Sequence, residues 1–384
     1  MRHLAWAGML LVCAACGDDS GGGQKVDTKD GGPVGDAGDL DARADGAKPD
    51  ASRPEAAVPE QDAAKADAAS DAASSDAQVI DAGPPPTLRS IVCGDRTSWP
   101  NPLPPVGMRD ATVLKSGFGF VEGPVWFSGL GLLLFSDMDF GGGDSQGPPA
   151  QIRRLLPPTF DVFKASSGSN GLARWSEGTV LAATHDTRSL SFFDAQSGTR
   201  SNIAVTYQGK KLNSPNDLTV REDGMVYFTD PNYQLGSRSS ETKTAVYRVK
   251  LTRSSTTASA ILIDDTLNQP NGIALSPDQK TLYVGSAGND IFKFDVADDG
   301  SVSGKTVFAS PGASDGLTVD CAGNLYVTSG TVEVFAPNGD KLGEIAVGDN
   351  PSNVAFGGDE GKTLYITAQD TLYSITLNVS GFPY

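Results

Sequence analysis

Asn271-Gly272-Ile273-Ala274-Leu275, then Ser276-Pro277-Asp278, then Leu282-Tyr283-Val284-Gly285-Ser286: a polar residue, a short strand, a turn and a second strand. Ser, Pro and Asp are turn formers, and the β-branched and aromatic residues on either side favour strands. The same unit recurs five more times. It reads Glu122-Gly-Pro-Val-Trp to Asp137, Asn170-Gly-Leu-Ala-Arg to His185, and Asn216-Asp-Leu-Thr-Val to Asp230. Further on it reads Asp315-Gly-Leu-Thr-Val to Ser329 and Asn353-Val-Ala-Phe to Ala368. The repeats are spaced by roughly 40 to 56 residues, the length of a four-stranded propeller blade. Six such units predict an all-β fold, a six-bladed β-propeller around a central channel. After Ala368 one good strand remains, near Thr371 to Leu377, so the sixth blade lacks its outer strand. Ala111 to Lys115 can supply it and close the ring, which protects the sheet edges.

Outside the repeats the composition changes. Met1 to Ala15 carry a charged start, a short apolar run and small residues, the pattern of a signal peptide. Ala14-Ala15-Cys16 resembles a bacterial lipobox, with lipid on the Cys16 thiol. The apolar run is too short to span a bilayer, so a lipid-anchored protein of the cell envelope, periplasmic or at the outer membrane, is expected. Residues 16 to 89 are rich in Asp, Ala, Gly and Pro and poor in large apolar side chains, which predicts a disordered tether. The folded domain is expected over residues 90 to 384. The net charge of −17 argues against a nucleic-acid partner. A monomer is expected, with a small molecule as partner.

In a propeller the inner strand of each blade lines the channel. The polar residues opening the repeats should therefore meet near the axis: Glu122, Asn170, Asn216, Asn271, Asp315 and Asn353. They are carboxylates and carboxamides, a ring of hard oxygen donors without His or Cys. That set suits one divalent cation, Ca²⁺ first, with Mg²⁺, Mn²⁺ or Zn²⁺ as alternatives. The second strand of each unit returns to the same face, which puts His185, Asp137, Asp230 and Tyr233 around the mouth. Asn170, His185 and Asp230 are thus candidates for contacting a substrate. His3 leaves with a signal peptide, so a mature chain keeps His185 alone, and no P-loop or dinucleotide fingerprint is present. Cys321 lies in a turn of the fifth blade on the face opposite the ring. Cys93 precedes the strand that enters the adjacent blade from that face, so a Cys93–Cys321 disulfide is expected.

Glu122-Gly-Pro-Val-Trp126, Leu212-Asn-Ser-Pro-Asn-Asp217, Phe228-Thr-Asp-Pro231, Pro270-Asn-Gly272 and Asp315-Gly-Leu317 together resemble the gluconolactonase branch of the SMP-30/gluconolactonase/luciferin-regenerating-like family. The resemblance runs over about residues 108 to 378. It implies a six-bladed propeller and metal-dependent hydrolysis of sugar lactones. It further implies Glu122, Asn271 and Asp315 as metal ligands, Asn216 as a ligand directly or through water, and Asp315 as general base. The Arg that precedes the Asn-Asp pair in the animal branch is absent; Ser214 stands two residues before Asn216. Two other functions fit the same ring, a phosphotriesterase or arylesterase and a binding propeller with a structural metal.

Overall fold

The computed structural model describes residues 93–94, 98–143 and 145–382. The expected signal peptide, the Cys16 anchor and the tether lie outside the described residues.

Six antiparallel sheets follow one another along the chain. Blade 1 is built from Phe120–Phe127, Leu132–Met138, Ala150–Leu156 and Thr159–Lys164. Blade 2 holds Ser169–Ser176, Thr179–Thr184, Ser189–Asp194 and Arg200–Tyr207. Blade 3 holds Leu218–Val220, Met225–Asp230, Ala245–Lys250 and Ile261–Asp264, and blade 4 holds Pro270–Leu275, Thr281–Ser286, Ile291–Val296 and Val302–Ala309. Blade 5 holds Leu317–Val319, Leu325–Ser329, Thr331–Phe335 and Lys341–Ile345. Blade 6 takes Pro351–Gly357, Thr363–Ala368 and Thr371–Thr376 from the end of the chain and Thr112–Ser116 from its start. No helix among the described residues is long and apolar enough to cross a membrane.

The second strand of each blade is almost wholly buried because it faces a neighbouring blade on each side. Its near-continuous run of apolar residues is what a strand covered on both faces requires. Blade 1 meets blade 6 through Val121, Leu133 and Phe135 against Tyr365 and Leu372, with Trp126 stacked on Tyr365 at 5.6 Å. The outer strand of blade 2 is extended by Lys210–Lys211 and by the parallel strand Thr257–Ser259, an excursion from blade 3 that covers this edge.

The ring closes as its sequence predicts. Thr112–Ser116 pairs antiparallel with Thr371–Thr376, Thr112 facing Ser374. Two further links tie the ends together. Ala111 N donates to Ala346 O of blade 5 at 2.9 Å. Cys93 is bonded to Cys321 in a disulfide, within an apolar cluster that includes Phe308, Val379 and Phe382. The bond spans 228 residues of sequence, so it constrains a large loop of the unfolded chain. Replacing both cysteines by serine is expected to lower the unfolding free energy by about 2–4 kcal/mol. Urea denaturation of the double variant against the oxidised wild type measures this.

Candidate functional site

The inner strands of blades 2, 4 and 5 approach the axis through one repeated contact. The amide of the residue after the ring position donates to the ring carbonyl of the next blade. Gly171 N reaches Asn216 O at 2.7 Å, Gly272 N reaches Asp315 O at 2.9 Å, and Gly316 N reaches Ser352 O at 2.7 Å. A side chain at Gly123 would collide with the Asn170 carbonyl, and at Gly272 with the Asp315 carbonyl. The approach therefore requires glycine at those points.

This ladder corrects the sixth ring position. Sequence alignment puts Asn353 there, but the residue in register with Asn216 and Asp315 is Ser352. Its hydroxyl donates to Val121 O of blade 1 at 2.6 Å. Pro351-Ser352-Asn353 matches Pro270-Asn271-Gly272 one for one, so aligning asparagine on asparagine misplaces the ring position by one residue. Asn353 belongs to the next layer. There four blades have glycine (Gly123, Gly171, Gly272 and Gly316), and the exceptions are Asn353 and Asp217. Asp217 was missed in the sequence, where its departure from glycine was the available signal.

The ring brings together Glu122, Asn170, Asn216 and Asn271, all buried, and Asp315, which is half-buried. Glu122 and Asp315 are close enough to act on each other's titration although their blades are not adjacent. Burial raises both carboxyls, and neighbouring charge adds to it, Asp315 acting on Glu122 and Asp217 on both. Burial pushes Asp217 up to about 7. Asn353 Nδ2 donates to Glu122 Oε2 at 3.1 Å and also bonds Asp217, so the second layer supports the first. Asn271 stands beside Asp315 and Tyr233 and favours the charged form of each, while burial, then the Asp315 charge, push the Tyr233 phenol up to about 12. No Lys or Arg stands among the groups acting most strongly on these acids.

Three buried carboxyls without a cationic partner carry a desolvation cost that protons or a bound cation must offset. Asn170 Oδ1 is buried without a hydrogen-bond partner in the same ring. Carboxylate and amide oxygens are what Ca²⁺ takes, so the residues present fit a hard divalent cation. No cluster of three His, Cys, Asp or Glu able to hold a metal occurs among the described residues; the ring offers two carboxyls and completes its donors with amides.

The remaining candidates form the wall. His185 is fully buried, its Nε2 facing Pro148 O at 2.8 Å, and burial lowers its pKa. Asp137 accepts from Gly119 N and pairs with Arg153 at 2.7 Å. Asp230 is fully buried and accepts from Asn213 N with both oxygens, at 3.0 and 2.8 Å. His185 and Asp230 therefore have no surface open to solvent. Burial pushes Asp230 up to about 8 from 3.8. A raised carboxyl contributes its full stability below its unfolded pKa and loses it as pH rises through the folded one. Asp230→Asn should match the wild type in unfolding free energy near the lower value and gain on it steadily towards the upper. Denaturation at a series of pH values checks this, and a difference that stayed flat would mean the carboxyl is ionised throughout.

Comparison with known proteins places this architecture. The family model SMP-30/Gluconolactonase/LRE-like region matches residues 120–370. The chain is 33% identical over 302 residues to a gluconolactonase of Zymomonas mobilis, covering 70% of this chain and 82% of the relative. It is 25% identical over 262 residues to a pentonolactonase of Haloferax volcanii, covering 64% and 80%. A solved gluconolactonase structure from Xanthomonas campestris superposes with a TM-score of 0.61 at 30% identity, over 72% of this chain and 94% of that one. With the match running from the first inner strand of the propeller into its last blade, the chain belongs to the SMP-30/gluconolactonase/LRE-like family.

Proposed function

We propose that the protein is a metal-dependent hydrolase that opens a sugar lactone at the channel mouth. The observation that carries this reading is the Glu122–Asp315 carboxyl pair, buried in a ring of amide oxygens with no cationic side chain acting on it. The gluconolactonase and pentonolactonase relatives support the substrate class.

Glu122, Asn271 and Asp315 would hold the cation, Ca²⁺ by donor chemistry, with Asn216 completing the set. Bound there, a divalent cation supplies a Lewis acid that polarises the lactone carbonyl. The rest falls to the protein. Asp315 takes the proton from the attacking water. Asn271, beside Asp315, fixes the orientation of that carboxylate. Tyr233 is a neutral phenol at physiological pH and stands as a donor beside Asn271. Asn170 offers its unpartnered Oδ1 to a substrate hydroxyl. His185 and Asp230 shape the wall behind the site.

Asp315→Asn and Glu122→Gln should each lower lactone turnover by about 1000-fold or more, with circular dichroism unchanged. Chelation with EDTA should abolish activity, and Ca²⁺ should restore it. A panel of lactones, aryl esters and phosphotriesters distinguishes the lactonase from an esterase or phosphotriesterase. Absence of any hydrolysis would leave a binding propeller.

We also propose that the chain is exported, cleaved before Cys16 and anchored through lipid on that thiol, residues 16–89 spacing the propeller from the membrane. Cys16→Ser should release the protein from the membrane fraction of expressing bacteria. An unchanged distribution would remove the anchor from the proposal.

A further inference from the structure

Resting on the metal-dependent reading, we propose that Asn353 is a positioning residue for the cation site: it holds Glu122 as a one-oxygen ligand and so keeps coordination positions open for water and substrate. Two N–H groups converge on Glu122 Oε2. Gly123 N donates to it at 2.7 Å and Asn353 Nδ2 at 3.1 Å. A carboxylate oxygen that accepts twice has used both of its lone pairs, which leaves Oε1 as the oxygen for a cation. The Asn353 amide cannot turn to present its oxygen instead, because Oδ1 accepts from Val354 N at 2.8 Å.

The amide is held from both sides. In the layer below the ring its blade 5 neighbour is Gly316, where a Cβ would collide with Asn353 Oδ1. Glycine there makes the room that the amide fills. Towards blade 1, Ser352 Oγ donates to Val121 O at 2.6 Å, so two successive residues of blade 6 grip two successive residues of blade 1. Asn353 and Glu122 stand 231 residues apart in sequence and meet at the seam where the two ends of the chain close the ring. Hydrogen-bond partners of this kind fix the orientation of a metal ligand, and removing one costs about 10- to 100-fold in metal affinity. With one oxygen each from Glu122, Asn216, Asn271 and Asp315, about two to four of the six to eight positions of a Ca²⁺ ion stay open.

The test reads cation binding without turnover. Protein stripped with a chelator is titrated with Ca²⁺ in a calorimeter. Asn353→Leu fills the same space without a donor, and Asn353→Ser is too short to reach Glu122. Each should bind Ca²⁺ about 10- to 100-fold more weakly than the wild type, with circular dichroism showing folded protein. A merely structural role would lower stability and leave the affinity of the folded protein unchanged. The luminescence decay of bound Tb³⁺ in H₂O and D₂O counts the waters on the ion, and the wild type should hold about two or more. Unchanged Ca²⁺ affinity in the variants, or fewer bound waters in the wild type, would overturn the proposal. A wild type that binds no divalent cation would overturn it together with the metal-dependent reading. Cation binding that depends on Asn353 without turnover of any lactone would uphold the clamp and remove the lactonase reading instead.

Discussion

The contact on which the molecule depends is the approach of the inner strands of blades 2, 4 and 5 to the backbone of the next blade at the axis. Three amides, those of Gly171, Gly272 and Gly316, donate to the ring carbonyls of the following blade. These bonds fix how far the blades converge, and so how close the ring side chains come. Without a Cβ at Gly272, the Asp315 backbone moves in until its carboxyl can meet Glu122 from a non-adjacent blade. The site follows from backbone packing before any side chain is chosen for chemistry.

Converging acids in this way is unfavourable on its own. Desolvation raises Glu122, Asp217 and Asp315 together, and neighbouring negative charge adds to it at Glu122 and Asp315; such groups destabilise a fold unless something binds them. The ring tolerates them because it is closed elsewhere. The strand Thr112–Ser116 completes blade 6, Ser352 bridges to Val121 on the inside, and the Cys93–Cys321 bond ties the entering segment to blade 5. A continuous ring of packed blades resists the local opening that would let water separate the carboxyls.

Most of the architecture was legible in the sequence, and the reason is periodicity. A unit that recurs six times states its own boundaries, and the missing outer strand of the last unit pointed to the closing strand. The register at the axis was less legible. Ser352 stands where blade 4 has Asn271, and an asparagine one residue later draws the alignment onto Asn353, which belongs to the layer beneath the ring. Asp217 was hidden for the same reason, since one residue beyond a recognisable ring position it reads as turn chemistry. His185 and Asp230 were placed on the correct face by strand direction. Whether they are open to solvent depends on loops 145–149 and 212–214 packing over them, and loop conformation leaves no periodic trace in a sequence.

Those loops give the mouth two unlike sides. Over blades 1 to 3, Arg238 joins the carbonyls of Gln146, His185, Asp186 and Leu235. His185 adds Pro148 from below, and Ser214 Oγ joins Pro231 O at 2.8 Å. One guanidinium thus holds the edges of three blades in a single wall. Arginine suits this task because its planar fork reaches several fixed acceptors while losing little freedom per bond. A wall bound in this way cannot fold over a ligand without breaking charge-assisted bonds. Recognition at this site therefore depends on a shape set before the ligand arrives, with the exposed ring of Tyr233 beside Asn271 and Asp315.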